Sequence, residues 1–208
     1  MNAHDLHAAL AQLEAGRVVA VATESFFGLL ADITNPLAVE ALFGLKPRGA
    51  DKGVPTLLPS RAAWAELVAG EIPELAQAFA SALWPGGLSI ALPASSKVAA
   101  RVALDGTLAV RLPGASAAAE LAAHFGRPLS ATSANLPGAP PATHSAAVEA
   151  AFAAAIELGT LLVLPGESPG GAPSTVVAVT GEAYRVARVG AVPVSALDAI
   201  ANERTHGA

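Results

Sequence analysis

Gly16-Arg17-Val18-Val19-Ala20-Val21-Ala22-Thr23-Glu24-Ser25 is the stretch on which the fold turns. Residues 18–22 are all apolar and three are β-branched, so this run reads as a buried strand. Upstream, Leu6, Leu10 and Leu13 fall at helical spacing, with Gly16 as the stop. Downstream, Asn35-Pro36 is a cap followed by proline at the first helical position, opening the helix LAVEALFGL that ends near Lys46. Further on, VPTLLP reads as a short strand, Ser60 as the cap of a helix, and Pro73 as the start of another helix that WPGG (residues 84–87) stops. LSIAL and TLAVRL are strands, ASAAAELAAHF is a helix ending before Gly126, and PLSAT is a strand entering a polar loop at 133–138. A helix over roughly 145–157 precedes LLVLP, and PSTVVAVT, a Thr-Gly-Glu turn and AYRVARV form a hairpin. Strands alternating with helices give an α/β class, and the late hairpin makes the sheet mixed. The expectation is one domain over 1–208: an open, twisted mixed sheet with flanking helices. Its core covers about 10–195, and its tail, 196–208, is read as one short helix and a frayed end whose Glu203, Arg204 and His206 are solvated.

Composition narrows the function classes. Hydrophobic residues make up 53% and charged residues 14% of the 208, which excludes a disordered chain. A net charge of −5 removes a whole-molecule basic field for nucleic acid. With no cysteine there is no disulfide framework, thiolate zinc site or redox thiol. Asp5 and Glu14 interrupt the first segment as a signal peptide would not tolerate, and no apolar run reaches the ~18 residues of a membrane span. The expected setting is a soluble protein of the cytoplasm with no membrane partner.

Charge is scarce, so its placement is informative. Two of the three lysines lie in Lys46-Pro-Arg48-Gly-Ala-Asp-Lys52-Gly, which sets three cations within seven residues. Such a loop can wrap an anion; taken alone it reads as a solvated loop. Hydroxyl residues follow strand ends at Thr23-Glu24-Ser25-Phe26-Phe27-Gly28 and at Ser130-Ala131-Thr132-Ser133-Ala134-Asn135. Ligands of open α/β sheets bind at such ends, although an ordinary turn or helix cap accounts equally for each segment by itself. Gly170-Gly171-Ala-Pro-Ser174-Thr175 and Arg188-Val-Gly190 are similar in kind. Walker and dinucleotide-binding motifs are absent from the sequence, and no carboxylate pair stands at an active-site spacing. What remains is cations, hydroxyls, amides and backbone, a set suited to phosphorylated ligands and to phosphoryl or nucleotidyl transfer.

Taken together and in order, TESFFGL, LKPRGADKG, WPGGLS, LAVRLP, SATSANLPGAPP, PSTVV and RVGA resemble the YrdC-like family, in its short bacterial threonylcarbamoyl-AMP synthase type. The resemblance runs from about Val18 to Ala191, and the KxR…SxN signature matches at Lys46, Arg48, Ser133 and Asn135. It implies a sheet with a concave cavity and a nucleotidyltransferase that uses ATP, L-threonine and bicarbonate, with Mg²⁺ carried by ATP rather than by a protein metal site. The products would be threonylcarbamoyl-adenylate and pyrophosphate. The adenylate would feed threonylcarbamoyl-transfer proteins that modify the tRNA adenosine beside the anticodon, with tRNA met only indirectly.

By position, the resemblance puts Lys46, Arg48, Ser133 and Asn135 in the catalytic signature. Lys46, Arg48, Lys52, Thr107, Ser133, Asn135, Pro141 and Arg188 fall at the ATP, and Ser25, Arg111, Ala131 and Ser174 at the threonine. Phe27 stands where members of the family carry tyrosine, and Lys52-Gly53 and Leu57 stand where several carry Asn-Pro and histidine. Two other readings of the same residues stay open. One is a diverged paralogue acting in another carbamoyl transfer; the other is an RNA-binding module that grips phosphates without chemistry.

Overall fold

The computed structural model describes residues 1–46 and 53–206. The elements run, in order, α1 (Ala3–Glu14), β1 (Val18–Ala22), β2 (Phe27–Leu30), α2 (Pro36–Leu45), β3 (Thr56–Leu57), α3 (Trp64–Leu67), α4 (Glu74–Leu83), β4 (Leu88–Pro93) and β5 (Thr107–Arg111). They continue with α5 (Ala117–Phe125), β6 (Leu129–Ser130), β7 (Thr132–Ser133), α6 (Ser145–Ala151), α7 (Ala153–Glu157), β8 (Leu161–Val163), β9 (Thr175–Thr180), β10 (Ala183–Arg188) and α8 (Val194–His206).

Pairing is mixed and helices flank the strands, as expected, but the strands divide into two sheets. One has the order β7-β2-β1-β8 and the other β10-β9-β4-β5-β3-β6. β1 explains its own composition. Val18 and Ala20 join one buried cluster with residues of α2, α4 and α6, while Val19 and Val21 join another with Leu13 of α1 and Leu121 of α5. Side chains alternate along a strand, so a strand covered on both faces needs an unbroken apolar run.

The segment read as the single strand PLSAT is what divides the sheets. Thr56 and Leu57 of β3 pair with β6, whereas β7 pairs with β2. The crossing falls at Ala131, whose N–H donates to the carbonyl of Pro55 at 2.7 Å. A change of sheet opens a gap between the two layers, and the functional cavity lies there.

Four local expectations are corrected. β2 was not foreseen; it turns back on β1 in antiparallel register, Ala22 opposite Phe27. Ser60 caps nothing with its side chain, and the expected helix shrinks to a 3₁₀ turn at Arg61–Ala63 and the single turn α3. The helix over 145–157 breaks at Phe152, which turns its ring into the core at 5% exposure, so packing of one large side chain outweighs alanine's helix propensity.

The tail is not frayed either. α8 is a thirteen-residue helix. Leu197 is fully buried, Arg204 pairs with Glu74 of α4 at 2.7 Å, and Tyr184 donates to Asp198 at 2.5 Å. Burial, with the Asp198 carboxylate, pushes the Tyr184 phenol up to about 12, so it stays a donor at neutral pH. Glu203 is exposed as expected. No described helix is long and apolar enough to cross a membrane.

Candidate active site

The cavity at the sheet crossing has a volume of about 360 Å³. Its walls come from the β1–β2 turn (Thr23, Ser25), the end of β5 (Arg111), the crossing (Ala131, Ser133), Pro141, Ser174 before β9 and Arg188 at the end of β10.

Local chemistry fixes each wall. Thr23 donates its hydroxyl to the carbonyl of Phe26 at 2.7 Å and accepts from the N–H of Ser25 at 3.1 Å, so the turn is closed by its own side chain. Two outside bonds pin it further: the Gly170 N–H donates to the carbonyl of Ser25 at 2.7 Å, and the Phe27 N–H to that of Ala142 at 2.8 Å. The Gly-rich segment therefore serves as a strap across the turn.

Ser174 is held by the Ser89 hydroxyl at 2.9 Å and by Arg188, which donates to its carbonyl at 2.8 Å and its hydroxyl at 3.0 Å. Gly190 is required at the next turn of the strap. A Cβ there would stand 2.1 Å from the carbonyl oxygen of Pro173, closer than any real contact. A side chain at 190 would push Ser174 and Arg188 apart from the cavity.

Two guanidinium groups face this space. Arg111 is 7% exposed and pairs with Glu24. Burial, and behind it the charge of Arg111, lowers the pKa of Arg188 from its ordinary value, which places the two cations within each other's field. Two cations held by fixed partners, among hydroxyls, make an anion site.

Beside it, Lys46 reaches from the end of α2 to the polar loop. Its Nζ donates to the Ser133 carbonyl at 2.6 Å, the Ser133 hydroxyl at 3.1 Å and the Asn135 Oδ1 at 2.8 Å. The Ser133 hydroxyl donates to the same Asn135 oxygen at 2.6 Å. Residues 87 and 89 positions apart in sequence are thus tied into one node.

Of the residues expected at the site, Ser25, Arg111, Ala131, Ser133, Pro141, Ser174 and Arg188 line the cavity. Lys46 and Asn135 meet at Ser133. Thr107 stands at the opposite end of β5 from Arg111, in a turn where its N–H donates to the Leu104 carbonyl at 2.7 Å. Leu104 in turn lies against Gly53, where the described chain resumes. Arg48 and Lys52 lie outside the described residues. Leu57 and Phe27 are both fully buried, Leu57 in the core beside α5.

The sequence reading left Glu24 without a role, although it is the only carboxylate bonded to a cavity arginine among the described residues. No local pattern couples positions 24 and 111; only the two-sheet topology brings them together. Among the described residues no three His, Asp or Glu side chains gather as a metal ion would require.

A family model described as telomere recombination, covering Sua5, YciO and YrdC, matches residues 11–190. The chain belongs to the Sua5/YciO/YrdC family. Within it, the chain is 37% identical over 187 residues to a threonylcarbamoyl-AMP synthase of Xanthomonas campestris, covering 87% of this chain and 97% of the relative. It is 35% identical over 196 residues to the threonylcarbamoyl-AMP synthase of Pyrococcus abyssi, covering 93% of this chain and 56% of that one. The chain therefore spans little more than half the length of this archaeal family member. The fold superposes on P. abyssi Sua5 complexed with L-threonine with a TM-score of 0.83 at 31% identity, over 94% of this chain and 56% of the other. It also superposes on E. coli YciO with a TM-score of 0.74 at 19% identity, over 91% and 90% of the two chains, a likeness of fold alone.

Proposed function

We propose that this member of the Sua5/YciO/YrdC family synthesises threonylcarbamoyl-adenylate from L-threonine, bicarbonate and ATP, with release of pyrophosphate. The observation that carries the reading is the gathering of Ser25, Arg111, Ala131, Ser133, Ser174 and Arg188 on one cavity, with the Lys46–Ser133–Asn135 node at its side. Relatives named for this activity support it.

The chemistry runs in two bond-forming steps. The amine of threonine takes the carbon of bicarbonate with loss of water. An oxygen of the resulting carbamate then bonds the α-phosphorus of ATP, and pyrophosphate leaves with the electrons of the broken P–O bond. Arg111 takes the threonine carboxylate, because a planar guanidinium offers two parallel donors to two oxygens. Ser25, Ser174 and the backbone at Ala131 surround the rest of the amino acid. Lys46, with Arg48 and Lys52 that follow it in sequence, meets the phosphates, where charge grows as pyrophosphate departs. Ser133, Asn135, Pro141 and Arg188 flank the nucleotide.

Thr107 contacts it only if the nucleotide runs the length of β5, roughly 13 Å at ~3.3 Å per residue. Mg²⁺ would enter with ATP as the counter-ion of its phosphates. The adenylate would pass to threonylcarbamoyl-transfer proteins acting on tRNA in the cytoplasm. With a net charge of −5, tight binding of tRNA by this chain itself is disfavoured.

A thermal-melt series tests the reading at the level of binding. A ligand at about a hundred times its Kd stabilises the native state by about 2.7 kcal/mol. For a chain of this size that is a rise in Tm of roughly 5–10 °C. ATP and L-threonine should each raise the Tm, and the pair more than either alone. A Tm indifferent to both would sink the assignment.

A further inference from the structure

Resting on that reading, we propose that Glu24 is a positioning residue for substrate recognition: it holds Arg111 in the cavity wall and cancels one of the two guanidinium charges there, so that the site takes a single carboxylate in preference to a phosphate.

The geometry is that of a clamp. Glu24 sits in the turn between β1 and β2, whose backbone is closed by the Thr23 hydroxyl and tied to Gly170 and Ala142. Its Oε1 accepts from Nη1 of Arg111, at the end of β5 in the other sheet. Both side chains are largely out of solvent, at 8% exposure for Arg111 and 24% for Glu24. A carboxylate on a turn tied by outside bonds, bonded to one nitrogen of a guanidinium, limits how far that guanidinium can swing. Arg111 is then presented to the cavity already oriented, and little side-chain freedom is lost when a ligand arrives.

The pair is a poor device for stability alone. Glu24 Oε2 is inaccessible to solvent and has no hydrogen-bond partner. An ion pair in a wall is often replaced as a whole by well-packed apolar residues with little loss of stability, so packing alone does not call for one here. What Glu24 does that an apolar residue could not do is act on Arg111.

Charge balance gives the second part. The described lining of the cavity carries two formal charges, on Arg111 and Arg188, and no carboxylate. Two adjacent guanidinium groups repel each other and draw multiply charged anions. Glu24 bonds Arg111 from behind, out of a neighbouring cavity of about 420 Å³ that also holds Asp5 and Glu167. The site keeps a net charge of about +1, which matches one substrate carboxylate. A reaction that releases pyrophosphate beside this cavity gains from such a limit, because its own product is the competing anion.

The test uses the full chain and its Glu24→Ala and Glu24→Gln variants, with two readouts. Steady-state kinetics should show the threonine KM raised about tenfold in E24A, with kcat and the ATP KM within about threefold of the parent. E24Q, which keeps an acceptor for Arg111, should recover most of that loss. Calorimetric titration with inorganic pyrophosphate in the absence of other substrates should show several-fold tighter binding in both variants, since both lack the charge.

A threonine KM in E24A within twofold of the parent overturns the positioning role. Pyrophosphate affinity unchanged in E24Q overturns the charge role, and needs only that the glutamine variant fold, which its shape favours. If the parent itself makes no adenylate from threonine, the functional reading fails while the pyrophosphate comparison still decides the charge balance at Arg111.

Discussion

Replacing Lys46 with alanine is expected to slow adenylate formation by roughly a hundredfold or more, about 3 kcal/mol of lost transition-state stabilisation, while the chain still folds. Lys46 closes α2 and is only half-buried. Its ammonium is held by two oxygens of Ser133 and one of Asn135, all within 3.1 Å, so it is already in place before substrate binds. A charge fixed in advance costs no reorganisation when the developing negative charge appears, and that is where its effect lies.

The structural loss is smaller. Three hydrogen bonds at a partly exposed site contribute on the order of 1–2 kcal/mol net. Rates of pyrophosphate release, with circular dichroism and a melt as controls, separate the two. If K46A turns over within a few-fold of the parent, the ammonium takes no part in the reaction.

Arg111→Lys should raise the threonine KM by roughly thirtyfold, about 2 kcal/mol, with a smaller effect on kcat. Lysine keeps the positive charge beside Glu24, so the buried carboxylate is not left uncompensated, as it would be with alanine. What lysine removes is the planar fork. One ammonium cannot serve Glu24 on one side and two carboxylate oxygens on the other in a fixed plane. Arg188 does not replace it, because its Nε and Nη2 are held at the carbonyl and hydroxyl of Ser174, away from Glu24. A threonine KM in R111K within threefold of the parent would show that the substrate carboxylate is bound elsewhere.

How far the sequence could be read depends on the range of the interaction that fixes each element. The hairpin of β9 and β10 was legible because its turn is local: Gly181 takes a positive φ of 58° between two β-rich runs. The helix ending at Gly126 was legible for the same reason, with φ 73° at its cap. The pocket residues were named only through the family resemblance, and the structure brings seven of them onto one surface.

What was not legible depends on distant pairing. The PLSAT strand looks continuous because nothing in those five residues says that Ala131 passes from one sheet to the other. β2 was hidden because Phe27–Leu30 directly follows a turn rich in polar residues. α8 looked solvated from its composition, yet Arg204 finds Glu74 130 residues away. Glu24 was visible as a letter in a motif, but its chemistry depends on Arg111, 87 residues later.

The most direct measurement of the central claim is pyrophosphate release from ATP by the purified chain, with threonine and bicarbonate each present or omitted. The account predicts release only when both are present, at a rate that saturates with threonine, and a product with the mass of threonylcarbamoyl-adenylate. Release that does not depend on threonine, or none with all three substrates supplied, would contradict it.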